Sequence, residues 1–70
     1  MKETLKTFRV NLGWSQKDLA REAGTSTFTT SQAESGKRIA PRNAKAIADA
    51  LSKAYNREIR VSDIEGLEVV

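Results

Sequence analysis

The sequence predicts an all-α fold, a compact bundle of five short helices in one small domain. Apolar residues recur at helical spacing along most of the 70-residue chain, as a core-facing stripe on each helix requires. Serine, threonine and asparagine stand where helices would begin, and glycine stands where several would end. A chain of this length forms a single domain over residues 1–70, with its core at about 4–66, and buries only about 60% of its unfolded surface.

The first helix is predicted over residues 4–12, because Thr4 can cap its beginning and Gly13 can end it. Its apolar stripe contains Leu5, Phe8 and Leu12, which lie at helical spacing and would face the core.

The second helix has the most complete start signal in the chain. Ser15 is an N-cap candidate, and Asp18 stands three residues later, where its carboxylate can complete a capping box. Trp14 and Leu19 occupy the two positions of a hydrophobic staple. Gly24 can end the helix, since glycine adopts the left-handed conformation without a Cβ penalty.

The third helix is predicted over residues 27–35, capped by Ser26 and ended at Gly36. Only residues 24–26 separate it from the second helix, and the small Ala20 allows the two backbones to approach closely. The sequence therefore predicts that helices 2 and 3 form a helix-turn-helix.

The fourth helix is predicted over residues 44–55, with Asn43 as its N-cap. A fifth, short helix is expected at residues 62–65, where a capping box precedes Gly66. The inward residues predicted for the fourth helix are Ala44, Ile47, Ala48, Leu51 and Ala54. Ile64 and Leu67 are expected to close the core.

The composition excludes several kinds of chemistry. The chain has no cysteine and therefore cannot form a disulfide or a thiolate zinc site. It also has no histidine, the residue that most often acts as a general base. We therefore expect no metal, no cofactor and no catalytic residue. No apolar run approaches membrane-spanning length and no signal peptide is evident, so we expect a cytoplasmic protein without a membrane partner. The net charge of +3 and the pI near 9.6 are typical of nucleic-acid-binding domains.

The outward face of the third helix has the composition of a DNA-reading surface. At 100° per residue this face contains Thr27, Phe28, Ser31, Gln32 and Ser35, while Thr29, Thr30 and Ala33 fall on the opposite side. Glutamine can pair bidentately with adenine, hydroxyls can bond several bases, and an apolar group can contact the thymine methyl. The alternative from this helix alone is an ordinary solvated polar face with one exposed phenylalanine.

Motifs along nearly the whole chain are similar to those of a known family. They are L-K-x-x-R over residues 5–9, G-W-S-Q-x-D-L-A over 13–20, A-G-x-S-x-x-T over 23–29, S-x-x-E-S-G-K-R over 31–38 and P-R-x-A-K-x-I-A-D-A-L over 41–51. With these motifs the sequence resembles the Cro/repressor-type, lambda-repressor-like (XRE-type) helix-turn-helix DNA-binding family of bacteria and temperate phages. It departs from the family at Thr30 and Ala33, where a large aliphatic residue is usual, so the third helix could pack more loosely or tilt differently.

The resemblance implies a structural ion pair between Arg9 and Glu34, and a phosphate contact from Gln16 with assistance from Ser15. The pair is physically reasonable because Glu34 would otherwise repel DNA phosphates and oppose the macrodipole at the end of its helix. The alternative is that both residues are solvated surface charges.

The predicted function is sequence-specific binding of a double-stranded DNA operator by a transcriptional regulator, most simply a repressor. Helix 27–35 would enter the major groove, with a homodimer on a near-palindromic site. The residues predicted to contact bases are Thr27, Phe28, Ser31 and Gln32. Those predicted to contact the DNA backbone are Ser15, Gln16, Ser35, Lys37, Arg38 and Arg42, and Arg42 could also reach the minor groove.

Two alternatives come from other functional classes. The first is a protein–protein interaction module, such as an antitoxin-like protein or a regulatory subunit, that reuses the same fold. An exposed apolar patch around Phe28, Val69 and Val70 would favour it. The second is an enzyme, which we do not expect because no spacing of carboxylates suggests a catalytic pair and so short a chain has little room for a pocket.

Overall fold

The computed structural model describes residues 2–70 and contains, within them, four α-helices, one 3₁₀ turn and four two-residue strands. The helices are α1 (Leu5–Asn11), α2 (Gln16–Ala23), α3 (Thr27–Glu34) and α4 (Pro41–Tyr55). The strands are β1 (Glu3–Thr4), β2 (Arg38–Ile39), β3 (Ile64–Glu65) and β4 (Glu68–Val69), with the 3₁₀ turn at Val61–Asp63. No helix among residues 2–70 has the length and apolar character needed to cross a membrane.

The helix-turn-helix forms where the local signals predicted it. The backbone N–H of Ser15 donates to the Asp18 carboxylate at 2.9 Å, and the N–H of Asp18 donates to the Ser15 hydroxyl oxygen at 3.0 Å. Gly24 ends α2 at φ 71°, and the N–H of Thr25 then donates to the Ala20 carbonyl at 2.9 Å. The Ser26 hydroxyl accepts the N–H of Thr29 and begins α3.

The prediction of a fifth helix at residues 62–65 was wrong. Asp63 does accept a backbone N–H, but the donor is Arg60 at 2.9 Å, and only the 3₁₀ turn follows. The chain then extends as β3, which lies parallel to β1 with Glu3 opposite Ile64. Gly66, at φ 81°, turns the chain into β4, which lies parallel to β2. Backbone pairing with distant strands therefore replaces the single helical turn that the local pattern favours.

The beginning of α4 also differs from the prediction. The helix starts at Pro41 with Ala40 as its N-cap, so Asn43 lies within the first turn and is not the cap. Proline suits this first position because its missing N–H has no helical partner there. The inward face contains Ala50 in addition to the predicted residues, whereas Ala54 is exposed.

The core is formed by all four helices and sealed by the C-terminal segment. Leu19, Ile47 and Leu51 are fully buried at its centre. Phe8 meets the Tyr55 ring edge to face, with centroids 5.5 Å apart, and the Tyr55 hydroxyl donates to the Phe8 carbonyl at 2.8 Å. The core also includes Leu5, Ala33, Ile39, Ala44, Ala48, Ile59 and Ile64. In this packing α3 lies against α1, α2 and β2, and its opposite side is left outside.

Candidate DNA-binding interface

The outward side of α3 presents polar groups and one aromatic ring. Thr27 and Phe28 are exposed, and Ser31 and Gln32 are half-buried. The Phe28 side chain is 71% exposed, so the ring points to solvent and does not fill the space beside the small residues of the inner face. The four residues predicted to contact bases therefore lie on one accessible surface of α3.

The inner side of α3 is built from small residues. Thr30 is fully buried and Ala33 is 3% exposed. The Thr30 hydroxyl donates to the Ser26 carbonyl at 3.3 Å, so it has a partner although it stands where the family usually has an aliphatic side chain. Both small residues are buried, so the inner side of α3 is packed against the rest of the domain.

Arg9 and Glu34 form a two-point ion pair between α1 and the end of α3. The Arg9 Nε and Nη2 atoms donate to the two carboxylate oxygens of Glu34, the second at 3.1 Å. The Arg9 Nη1 atom donates to the Trp14 carbonyl at 2.8 Å. The two side chains are only 12% and 7% exposed. Hydrogen bonding to Glu34 raises the pKa of Arg9, although burial opposes this, so the guanidinium stays charged.

Gln16 joins this ion pair through its amide. Its Nε2 atom donates to a Glu34 oxygen at 3.1 Å, and Gln16 is the first residue of α2. The Glu34 carboxylate therefore receives hydrogen bonds from two other elements and is turned away from the outward face of α3. The Gln16 amide keeps one N–H that can donate to a phosphate. Sequence reasoning missed the link, because it joins residues 18 positions apart.

The two serines predicted to contact the DNA backbone differ in whether their hydroxyl groups can still donate a hydrogen bond. The Ser15 hydroxyl oxygen accepts a backbone N–H as the cap of α2, which leaves its O–H free to donate. The Ser35 hydroxyl donates to the Ser31 carbonyl at 3.0 Å. In this arrangement Ser35 has no donor left for a phosphate, whereas Ser15 does.

The basic loop after α3 lies beside the outward face. Lys37, Arg38 and Arg42 are exposed, and none of them has a carboxylate partner within 4.0 Å among residues 2–70. A shallow concavity of about 170 Å³ connects α3 to this loop, with Phe28 and Gln32 on one side and Arg38 on the other.

Asn43 also lines this concavity and was not predicted to belong to the interface. It is half-buried in the first turn of α4 and its side chain caps nothing. The signal that could have found it is Pro41, because proline at the first helical position makes Ala40 the cap and moves Asn43 inside the helix.

The fold and the geometry of the exposed face of α3 together define a helix-turn-helix domain built to bind DNA. A family model described as helix-turn-helix matches residues 5–56, and the chain belongs to this lambda-repressor-like (XRE-type) family of DNA-binding regulators. The resemblance inferred from the sequence is thus confirmed at the level of the family. No curated protein and no solved structure matches the chain significantly. Residues 57–70 lie outside the matched region.

Proposed function

We propose that the protein is a sequence-specific transcriptional regulator, most simply a repressor, that inserts α3 into the major groove of an operator. The observation that most supports this proposal concerns Glu34, the only acid of α3. Its carboxylate accepts hydrogen bonds from Arg9 and Gln16. The outward face of α3 is thereby free of unpaired negative charge, and an α-helix fits the width of the major groove of B-DNA.

In this proposal the outward residues of α3 contact base edges. The Gln32 amide can donate to and accept from one adenine, and the Phe28 ring is suited to the methyl group of thymine. Thr27 and Ser31 add hydroxyls that bond several bases. Because these contacts depend on the base, they supply specificity.

The DNA backbone would be held from both sides of α3. Ser15 and Gln16 lie at the beginning of α2, where backbone N–H groups and side-chain donors can meet a phosphate. Lys37, Arg38 and Arg42 would supply positive charge on the other side, and Ser35 precedes them in the chain. Arg42 would also reach toward a narrow minor groove.

We propose that a homodimer binds a near-palindromic operator. One short helix contacts too few base pairs to define a site, whereas two copies related by a two-fold axis read half-sites about one helical turn apart. A dimer bound at a promoter represses transcription simply by occupying the DNA.

A second candidate is a module that binds another protein through the same fold. The observation in its favour is that Phe28 is 71%, Val69 40% and Val70 75% exposed. Val69 lies in β4 beside Ile39, and Ile39 lines the same concavity as Phe28. We prefer DNA as the partner because this surface also contains the unpaired Lys37 and Arg38.

Selection of bound sites from a random duplex library tests the proposal directly. We expect a near-palindromic consensus with half-sites about one turn of DNA apart. Enrichment of no sequence, with duplex binding absent even at low salt, would contradict it and favour the protein-binding alternative.

Variants of α3 then test the readout on the selected operator. Gln32→Ala should cost ~1–3 kcal/mol on the operator and little on random duplex, since a base contact confers discrimination. Replacing one operator thymine by uracil should copy the effect of Phe28→Ala, and combining the two should add little. Val10→Ala is the matched control, because Val10 is an apolar side chain 54% exposed on α1. Equal losses on operator and random duplex would remove Gln32 and Phe28 from the contacts that read bases.

A further inference from the structure

The end of the chain is paired with the basic loop. Strand β4 lies parallel to β2, with Glu68 opposite Arg38 and Val69 opposite Ile39. Beyond the strand, the N–H of Val70 donates to the Ile39 carbonyl at 3.0 Å. We call residues 66–70 the C-terminal strap. It holds the loop backbone at Ile39, next to Arg38, which bears one of the interface cations.

Both ends of this arrangement are anchored in the core. Ile39 is 5% exposed, and Ile64, two residues before the strap, is 3% exposed. Gly66 makes the connection, since its φ of 81° belongs to the left-handed region in which a Cβ is disfavoured. The backbone of Arg38 is therefore confined between the strap and the core, while its side chain extends outward.

This confinement matters for binding because a free loop loses conformational entropy when its cations are placed on phosphates. A loop that is already ordered avoids that loss, so its contact contributes more to affinity. Arg38 lies at the concavity beside Phe28 and Gln32, where a displaced loop would move its guanidinium relative to α3. The strap itself lies outside the residues 5–56 that the family model matches.

We propose that the C-terminal strap is a positioning segment that holds Arg38 for contact with a DNA phosphate. The inference rests on the proposed DNA-binding function and assigns a role in it to residues that touch no DNA themselves. Arg42 provides the internal comparison, because it belongs to α4 and is not paired with the strap.

The strap is tested by removing one hydrogen bond. Val70→Pro lacks the N–H that donates to Ile39, whereas Val70→Ala keeps this N–H and is the matched control. Affinity for a short random-sequence duplex is measured by fluorescence anisotropy over a series of salt concentrations. Val70→Pro should weaken binding about fivefold and reduce the salt slope by roughly one unit, as the loss of one phosphate contact does. Val70→Ala should stay within about twofold of the parent chain.

Combination with arginine variants separates positioning from general loss of structure. Arg38→Ala should cost nothing further in the Val70→Pro chain, whereas Arg42→Ala should cost the same in both chains. Arg38→Ala costing as much in the Val70→Pro chain as in the parent would overturn the proposal. Failure of the parent chain to bind any duplex would instead reject the proposed function.

Folding is checked on each variant by far-UV circular dichroism and thermal melting. If Val70→Pro does not fold, deletion of residues 68–70 gives the same comparison with Arg38→Ala and Arg42→Ala. If the Val70→Pro chain and the chain without residues 68–70 are both unfolded, the strap is a general structural element and the positioning role is overturned.

Discussion

Glu34 is the residue on which the chemistry of α3 depends. A carboxylate at the C-terminal end of a helix opposes the macrodipole, and on a DNA-facing helix it would also repel phosphates. Arg9 and Gln16 together donate three hydrogen bonds to it, from two different helices. An acid that is unfavourable by position has thereby become the point at which α1, α2 and α3 are joined.

We expect Arg9 and Glu34 to be energetically coupled. Arg9→Ala or Glu34→Ala leaves a largely buried charge without its partner, which typically costs ~2–4 kcal/mol. Urea denaturation of both single variants and the double variant should show coupling, because the second substitution removes the charge that the first left unpaired. The Lys45–Asp49 pair on the exposed side of α4 is the control and should show little coupling. Additive losses at Arg9 and Glu34 would mean that the contact stabilises nothing.

Thr30 allows the opposite prediction, a gain in stability. Its hydroxyl is fully buried and makes only a long hydrogen bond of 3.3 Å to the Ser26 carbonyl, which also accepts the Thr30 N–H at 3.1 Å. Thr30→Val keeps the shape, leaves that carbonyl paired and adds apolar contact, so we expect about 1 kcal/mol more stability by thermal melting. Thr27→Val on the exposed face is the control, with no change expected. A lower melting temperature for Thr30→Val would show that the hydroxyl is structurally required.

At the scale of the element, the capping box of α2 makes stability depend on pH in the acid range. The hydrogen bond from the backbone N–H of Ser15 is the main cause that lowers the pKa of Asp18, and Arg21 makes a smaller contribution. A carboxylate whose pKa is lower in the folded chain stabilises the fold above its unfolded pKa of about 3.9. This stabilisation is lost as the pH falls through the folded value.

Asp18→Ala should therefore be less stable than the parent chain at neutral pH, with the difference shrinking as the pH is lowered below about 4. Urea midpoints measured across the acid range follow the effect. Asp49→Ala is the control, since Asp49 caps no helix and pairs only with Lys45 on the surface of α4. A difference that stays constant down to the lowest pH would exclude the capping carboxylate as its source.

The elements differ in how far the sequence could predict them, and the cause is the range of the interactions that form them. Helices α1 to α3 were predicted well because caps, staples and terminating glycines act within a few residues. The start of α4 was misplaced because Asn43 is a good cap by type, while Pro41 already fixed the first turn earlier. Strands of two residues are too short to show an alternation of apolar and polar residues. The residues that pair between β1 and β3 are also about sixty positions apart in the sequence.

The same distinction applies to the interface. The outward face of α3 follows from helical rotation alone, so the exposure of Phe28 agrees with the sequence pattern. The bond from Gln16 to Glu34 and the place of Asn43 in the concavity required the packed arrangement of three helices. Sequence patterns thus indicated which groups the surface contains, and the tertiary structure determined how they are held.

At the scale of the whole molecule, the excess positive charge acts through its placement beside α3. If Lys37 and Arg42 contact phosphates, replacing either by Ala should weaken binding to every duplex about equally and reduce the salt slope by roughly one unit. Lys53→Ala near the other end of α4 is the matched control, because it removes the same charge far from the proposed contacts. Equal slopes for all three variants would show that overall charge, and not the charge of Lys37 and Arg42, is responsible for attraction to DNA.

The two parallel strand pairs also give the molecule two levels of resistance to opening. The helices share one core around Leu19, Ile47 and Leu51, so their amides should exchange with solvent hydrogen only when the whole chain unfolds. The β2–β4 pair spans only two residues on each strand, and both residues of β4 are exposed. This pair can therefore separate while the core stays intact. Amide exchange at Val70 should then be fast and governed by a local opening event. DNA bound across the loop would slow this exchange at a position that it does not touch, because binding removes the small population of opened loops that the free protein retains.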